Sequence, residues 1–265
     1  MLKLNKVLIV GFGSIGQRHF SNIKKLYPSV EIGILRSSSN KKTITHENIF
    51  FDLESAIDFK PDVAFICNPA TFHMDVALKL AKEKIHFFVE KPLSNNLNQT
   101  NKLKGIIEKN NIKGMVGYNL RFNDSLLFFK KFIEKNNLGN ILFISSTVGQ
   151  YLPTWRPSQE YEKTVSAQSI LGGGALLELS HELDYLVWLF GKPLSVYCDI
   201  LKVSKLKIDV EDLVLANIYL KRKKNVIPST IHLDFLQHKA YRCCKIIFED
   251  GTLHLDIIEN TIKIY

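Results

Sequence analysis

The stretch Val7-Leu8-Ile9-Val10-Gly11-Phe12-Gly13-Ser14-Ile15-Gly16 decides the fold of this 265-residue chain. Val7 to Val10 is short and wholly apolar, the pattern of a parallel strand covered on both faces. After the glycines, Gln17 to Leu26 carries Phe20, Ile23 and Leu26 on one side of a helix. Strand, G-x-G-x-x-G and helix in that order separate a dinucleotide loop from a chance cluster of glycines. The first glycine permits a tight turn, the second lets a pyrophosphate approach the backbone, and the third lets helix and strand pack closely. The helix N-terminus adds free N–H groups and a partial positive charge for the phosphates. Gly11, Phe12, Gly13, Ser14, Ile15 and Gly16 are therefore the expected phosphate-binding residues.

The strand that follows, Glu31 to Leu35, ends at Arg36-Ser37-Ser38-Ser39. An NAD loop usually places an Asp or Glu about 20 residues beyond the glycines, where it accepts the ribose 2′-hydroxyl. Arg36 cannot accept that bond but can pair with a 2′-phosphate, and Ser37 and Ser38 can add donors. The cofactor expected is NADP or NAD, with NADP favoured. Asp62 to Cys67 reads as a further apolar strand, followed by the loop Asn68-Pro69-Ala70-Thr71-Phe72-His73 and a helix with Val76, Ala77, Leu80 and Ala81 inward. Ile85 to Val89 is another buried strand, closed by Glu90-Lys91-Pro92, because proline lacks the donor needed to continue it. This β-loop-α-β rhythm is doubly wound, so Asn68, Pro69, His73, Glu90 and Lys91 fall at carboxyl ends of strands, on the edge of the glycine loop where ligands bind. They join the expected cofactor contacts. His73, near a helix start, also fits a capping or packing role. A helix from Asn98 to Asn110 and a strand from Gly114 to Tyr118 close the first domain, expected to span residues 1–120, with 121–265 as the second.

Composition narrows the function classes. A hydrophobic share of 46% over this length supports one large core or two ordinary ones. The formal charge of +9, from 35 Lys+Arg against 26 Asp+Glu, is scattered; the one tight run, Lys221 to Lys224, lies between strand-like segments and reads as a hairpin loop. No basic face with aromatic support points to nucleic acid, whereas the excess charge suits anionic substrates or cofactors. Cys67, Cys198, Cys243 and Cys244 lack C-x-x-C spacing, so neither a zinc site nor a disulfide framework is expected and a reducing cytoplasm is. No stretch reaches the ~18 apolar residues of a membrane span, and the apolar run after Lys3 and Lys6 is too short for an export signal.

The second half changes texture. Ile141 to Gly149, Ser195 to Leu201, Leu213 to Leu220, Ser229 to Phe235, Cys243 to Phe248, Thr252 to Asp256 and Thr261 to Tyr265 are strand-like, with Glu249-Asp250-Gly251 as a hairpin turn. One amphipathic helix is expected between the first two, starting after Gly172-Gly173-Gly174 and ending at Gly191. Its period places Glu178, His181, Glu182, Tyr185 and Trp188 on one face, so that Glu178 can orient the His181 imidazole for proton transfer. Glu178, His181 and Asp184 do not share one face, and no metal is expected there.

Taken in order, VGFGSIG, ICNPATFH, VEKPLS, VGYNLRF and GGGALLELSHELDYLVWLFG resemble the Gfo/Idh/MocA oxidoreductases, named for glucose-fructose oxidoreductase and inositol dehydrogenase. The resemblance runs from about residue 6 to residue 258. It implies an α/β chain: an N-terminal Rossmann domain with a doubly wound parallel sheet, then an α+β domain on a large, mostly antiparallel open sheet. It implies hydride transfer between a nicotinamide and a secondary alcohol or ketone of a sugar, cyclitol or sugar nucleotide, with Lys91 and His181 as the catalytic pair and Lys91-Pro92 cis. Tyr118 and Arg121 would face the substrate, as would Trp155 and Arg156 of GQYLPTWRP, a segment similar to a branch that makes bacterial surface sugars. Two features depart from the family: Glu178 stands three residues before His181 where most members have an Asp four before, and the chain stops at Tyr265 where members continue for several tens of residues. The rival readings are a nucleotide-binding or regulatory homologue without turnover, and a lyase or hydrolase using transient NAD oxidation. Association of copies through the second sheet is the expected assembly.

Overall fold

Two compact units follow one another along the chain, Met1–Gly117 and Tyr118–Tyr265, in a computed structural model that describes residues 4–37, 48–135 and 137–265. In the first unit the strands β1 (Lys6–Val10), β2 (Glu31–Leu35), β3 (Asn48–Phe50), β4 (Val63–Ile66), β5 (His86–Val89) and β6 (Gly114–Val116) pair in parallel in the order β3-β2-β1-β4-β5-β6. Helices α1 (Ser14–Leu26), α2 (Leu53–Asp58), α3 (His73–Lys82) and α4 (Thr100–Asn110) accompany them. The apolar run of β1 feeds two cores at once. Leu8 and Val10 pack with Ile66, Ala77, Leu80 and Val89, whereas Val7 and Ile9 pack with Ile23, Ile32 and Ile34. Alternate side chains of a strand point to opposite faces, so a wholly apolar strand is what two covered faces require. The order reverses between β1 and β4, which puts the turns after these two strands at the switch point of the sheet.

The second unit is built on seven strands, β7 (Ile141–Gly149), β8 (Pro193–Leu201), β9 (Leu213–Arg222), β10 (Asn225–Asp234), β11 (Tyr241–Phe248), β12 (Thr252–Asp256) and β13 (Thr261–Ile264), in the order β13-β12-β11-β7-β10-β9-β8. Every neighbouring pair is antiparallel except β7 with β10. The turn at Glu249-Asp250-Gly251 joins β11 to β12 as the sequence suggested, closed by Phe248 N–H on the Gly251 carbonyl at 2.8 Å. β10 begins four residues before the expected Ser229 and runs through Pro228. Its pairing with β7 starts only at Ser229, so up to Pro228 it has β9 alone as a neighbour and the missing donor costs no ladder bond on the far side. Strict alternation in β9 buries Val214, Ala216, Ile218 and Leu220. These meet Leu126, Phe129 and Ile133 of α5 (Asp124–Lys135) in one core.

The helix expected after the three glycines is two helices. α6 (Ala175–Glu178) stops at Leu179-Ser180, and α7 begins again at His181 and runs to Phe190. The single face drawn through Glu178, His181, Glu182, Tyr185 and Trp188 is therefore corrected: the 3.6-residue period is interrupted between Glu178 and His181. Within α7 the buried face is Glu182, Tyr185, Leu186 and Leu189, so two of the polar residues on that face belong to the core. Glu182, fully buried, accepts two bonds from Arg242 of β11 at 2.8 and 3.0 Å, and the Tyr185 hydroxyl meets Ser146 of β7 at 2.5 Å. Gly191, at φ +106°, ends α7 with its N–H on the Val187 carbonyl. Among the described residues no helix is long and apolar enough to cross a membrane.

Removing one partner of a buried pair strands the other charge, whereas replacing both with apolar groups does not. Arg242→Met is expected to destabilise the second unit by roughly 3–5 kcal/mol, and Glu182→Leu/Arg242→Met to recover most of that loss, read from urea denaturation midpoints.

Candidate functional site

In the first unit the glycine motif is held by close backbone contact. Gly11 has φ +90°, and a Cβ there would lie 2.7 Å from the Asn68 nitrogen, so the turns after β1 and β4 touch. A Cβ on Gly16 would come within 2.2 Å of the Gly11 carbonyl oxygen, which is how closely α1 packs on the turn. Gly13 differs: a Cβ there would meet nothing within 4 Å. It precedes α1, has no capping side chain, and leaves the first N–H groups of that helix open beside the exposed Ser14. Phe12 packs its ring edge-on against Phe20, and Ile15 is half-buried. The end of β2 brings Arg36, whose backbone N–H binds the Phe50 carbonyl at 2.9 Å, and exposed Ser37; Ser38 lies outside the described residues.

The turn after β4 carries two buried polar atoms, Asn68 Oδ1 and Thr71 Oγ1, with no hydrogen-bond partner among the described residues. Such atoms ask for a partner from elsewhere. His73 opens α3 at 1% exposure, with Nδ1 2.8 Å from the Pro92 carbonyl oxygen and Nε2 2.7 Å from that of Asn68. Burial pushes the His73 imidazole below the usual histidine pKa, against a pull upward from those carbonyls and from Glu90. Beyond β5, Glu90 binds His19 of α1 at 2.7 Å, and the His19 ring lies beside Phe65 and Phe88. Lys91 is half-buried, and Lys91-Pro92 is cis. His19 was not among the residues singled out from the sequence; its only signal is its position on α1, eight residues after Gly11.

An open helix N-terminus, a glycine with free space over its α-carbon and an unpartnered amide oxygen at the switch point fit the phosphate and amide chemistry of a dinucleotide.

The second unit gathers a different set. Tyr118 donates to the Ser180 hydroxyl at 3.4 Å, and its ring sits edge-on to His181 at 5.6 Å. Burial pushes the Tyr118 phenol pKa up, against the pull of the Ser180 bond, so it stays a donor across the neutral range. Arg121 grips Asp184 with two bonds at 2.8 and 2.6 Å, and its guanidinium lies 5.7 Å from the Trp188 ring centre. The pairing raises the arginine's pKa further. Tyr118, Arg121 and His181 thus cluster at the start of α7, with Ser180 and Asp184 as partners that sequence reading did not assign. Glu178 ends α6, whose first turn is held by Glu211: its carboxylate accepts from Leu176 N–H at 2.9 Å and fills the space a Cβ on Gly174 would take. Trp155 and Arg156 sit on the segment after β7. Trp155 donates its indole N–H to the Gln150 carbonyl at 3.1 Å and packs edge-on against Phe235, and Arg156 lines a small cavity with Tyr161 and Thr164.

Residues 5–118 match the sequence model of the GFO_IDH_MocA oxidoreductase family, NAD-binding Rossmann fold, and residues 127–254 match the C-terminal domain of the same family. The uncharacterized oxidoreductase YrbE of Bacillus subtilis is 26% identical over 71% of this chain and 54% of its own length. Myo-inositol 2-dehydrogenase of Thermotoga maritima is 25% identical over 73% of this chain and 58% of its own. The chain thus spans little more than half the length of these curated relatives. Among solved structures, the WlbA dehydrogenase of Bordetella pertussis, crystallised with NADH and UDP-GlcNAcA, superposes with a TM-score of 0.85 at 20% identity, over 98% of this chain and 76% of that one.

The second and third glycines of the motif make opposite demands. Gly13→Ala is expected to leave thermal unfolding unchanged while weakening NADH binding about tenfold, about 1.4 kcal/mol, in a fluorescence titration. Gly16→Ala, which must push apart the turn and α1, is expected to lower stability by about 1–3 kcal/mol in thermal unfolding.

Proposed function

The chain belongs to the GFO/IDH/MocA oxidoreductase family, and on that premise we propose that it moves a hydride between a nicotinamide and a secondary alcohol carbon of a sugar-like substrate. One observation carries this reading: the carboxyl ends of β1, β4 and β5 present the open glycine turn, the unpartnered Asn68 Oδ1 and Lys91 along one edge of the first sheet. When bound, a nicotinamide supplies the hydride acceptor or donor. The residues that would hold it are those of the Gly11–Gly16 turn, Asn68 and Arg36. Lys91 holds the reacting oxygen and exchanges its proton as the carbon changes oxidation state. His181, whose ring Tyr118 bounds on one side, is the second proton-transfer residue that the family resemblance implies.

The substrate class is a sugar, cyclitol or sugar nucleotide. A sugar nucleotide, of the kind the WlbA structure contains, suits a chain of formal charge +9 with a guanidinium at Arg121 that spends only two of its five N–H groups on Asp184. Arg36 at the end of β2 favours NADP, because a guanidinium pairs with a 2′-phosphate. All four cysteines are free, which suits a reducing cytoplasm. Copies associate through the outer face of the second sheet, where Leu215, Tyr219, Val226 and Tyr241 are exposed.

Lys91→Met is expected to lose about 10²–10⁴-fold in turnover of whichever sugar or sugar nucleotide the wild type oxidises, with NADH binding retained; undiminished turnover would remove Lys91 from the mechanism. In the same titrations Arg36→Ala should weaken NADPH binding by about 1.5–3 kcal/mol and NADH binding far less, and equal losses would refute the NADP preference. Sedimentation should show an oligomer for the wild type that Tyr219→Asp dissociates; a monomeric wild type would contradict the sheet interface.

A further inference from the structure

Among the described residues of the first unit His73 is the most deeply buried histidine, and the reaction proposed above gives it no work. Its position is that of a staple. Five residues upstream, Asn68 ends the β4 turn; nineteen residues downstream, Pro92 ends the Glu90-Lys91-Pro92 turn; both backbone carbonyls lie within 2.8 Å of a ring nitrogen. We propose that His73 is a positioning residue for Lys91, fixing the Lys91-Pro92 turn by donating from Nδ1 to the Pro92 carbonyl and setting its distance from the Asn68 turn. This rests on the assignment of Lys91 made above.

The choice of Nδ1 follows from the surroundings. A neutral imidazole carries one N–H, and both neighbours here are acceptors only. The contact with Pro92 is buried, whereas that with Asn68 is partly open, so water reaches the Asn68 carbonyl more readily. A buried carbonyl left without a donor bears the full desolvation cost, so the proton is worth more on the Pro92 side. The charges facing the ring are Glu90 and Lys91, of opposite sign. The lysine's ammonium sits four rotatable bonds from a backbone whose following residue this bond holds. Misplacing a reacting group by about 1 Å costs on the order of 10²-fold in rate, so a slack turn is enough to matter.

Two substitutions separate the two contacts. His73→Asn keeps a donor near the Nδ1 position and loses the reach to Asn68; His73→Gln keeps a donor near the Nε2 position and loses the bond to Pro92. His73→Phe loses both. Each variant would be checked for folding by thermal unfolding and for NADH binding by fluorescence. The lysines would then be dimethylated with ¹³C-formaldehyde, and the Lys91 resonance, identified by its loss in Lys91→Arg, located by NMR. The expected order is that His73→Asn keeps the wild-type Lys91 chemical shift, whereas His73→Gln and His73→Phe move it. In turnover, His73→Gln and His73→Phe should fall about 10- to 100-fold with NADH affinity retained, and His73→Asn should restore most of the loss seen in His73→Phe. Folded His73→Gln with a wild-type Lys91 signal, or His73→Asn and His73→Gln behaving alike, would overturn the proposal. The Lys91→Met measurement separates the two claims. Full turnover in that variant defeats the role of Lys91 and leaves the NMR order as a statement about the turn alone; lost turnover there, with no order among the His73 variants, defeats the staple and leaves Lys91 in place.

Discussion

The first unit depends on one close approach: the turn after β1 lies against the turn after β4 because Gly11 has no side chain to keep them apart. Any Cβ at that position would stand inside the Asn68 backbone, and the φ of +90° would strain it besides. From this contact the rest of the sheet edge follows. With the two turns abutting at the switch point, α1 can start at Ser14 with its N–H groups open, and Asn68 is brought to the same place from the other half of the sheet. The next turn out, after β5, is joined to this arrangement by the two histidines, His73 on the Pro92 and Asn68 carbonyls and His19 on Glu90. A glycine constraint at one position thereby propagates through the contacts of two histidine side chains to the neighbourhood of Lys91.

In the second unit, polar pairs fix the start of α7. The start of α7 is tied to its surroundings by Glu182 with Arg242, Asp184 with Arg121, and Tyr185 with Ser146. These are long-range in sequence and act on three of the four residues from Glu182 to Tyr185, immediately after His181. A charge as deeply buried as Glu182 is no great source of stability, but once in place it tolerates only one arrangement of the helix end. His181 inherits that definition from its neighbours.

What could be read from the sequence was what local pattern determines. G-x-G-x-x-G with its flanking strand and helix gave the first unit, and two-residue alternation gave the strands of the second, because both signals lie within about ten residues. The break between α6 and α7 was not legible. The text from Ala175 to Phe190 has no proline or glycine, and the interruption accompanies contacts from far along the chain, Glu211 on the first turn of α6 and Arg242 on Glu182. The early start of β10 was not legible for a related reason: whether a proline is tolerated in a strand depends on which neighbour the strand has at that residue, and the pairing of β10 with β7 begins one residue after Pro228.

Burial then decides which polar residues remain available for chemistry. On α7 the sequence places four polar residues, His181, Glu182, Asp184 and Tyr185, within five positions. The fold takes Glu182 and Tyr185 into the core and gives both oxygens of Asp184 to Arg121. His181 is left half-buried at the helix start, beside the Tyr118 ring. In the first unit the same filter separates His73, at 1% exposure with a carbonyl at each ring nitrogen, from Lys91, which is half-buried. A histidine so enclosed reaches a ligand only by way of the backbone it holds. A residue type suited to catalysis is common in a sequence of this length; one that the fold leaves partly exposed, next to partners that fix it, is much rarer.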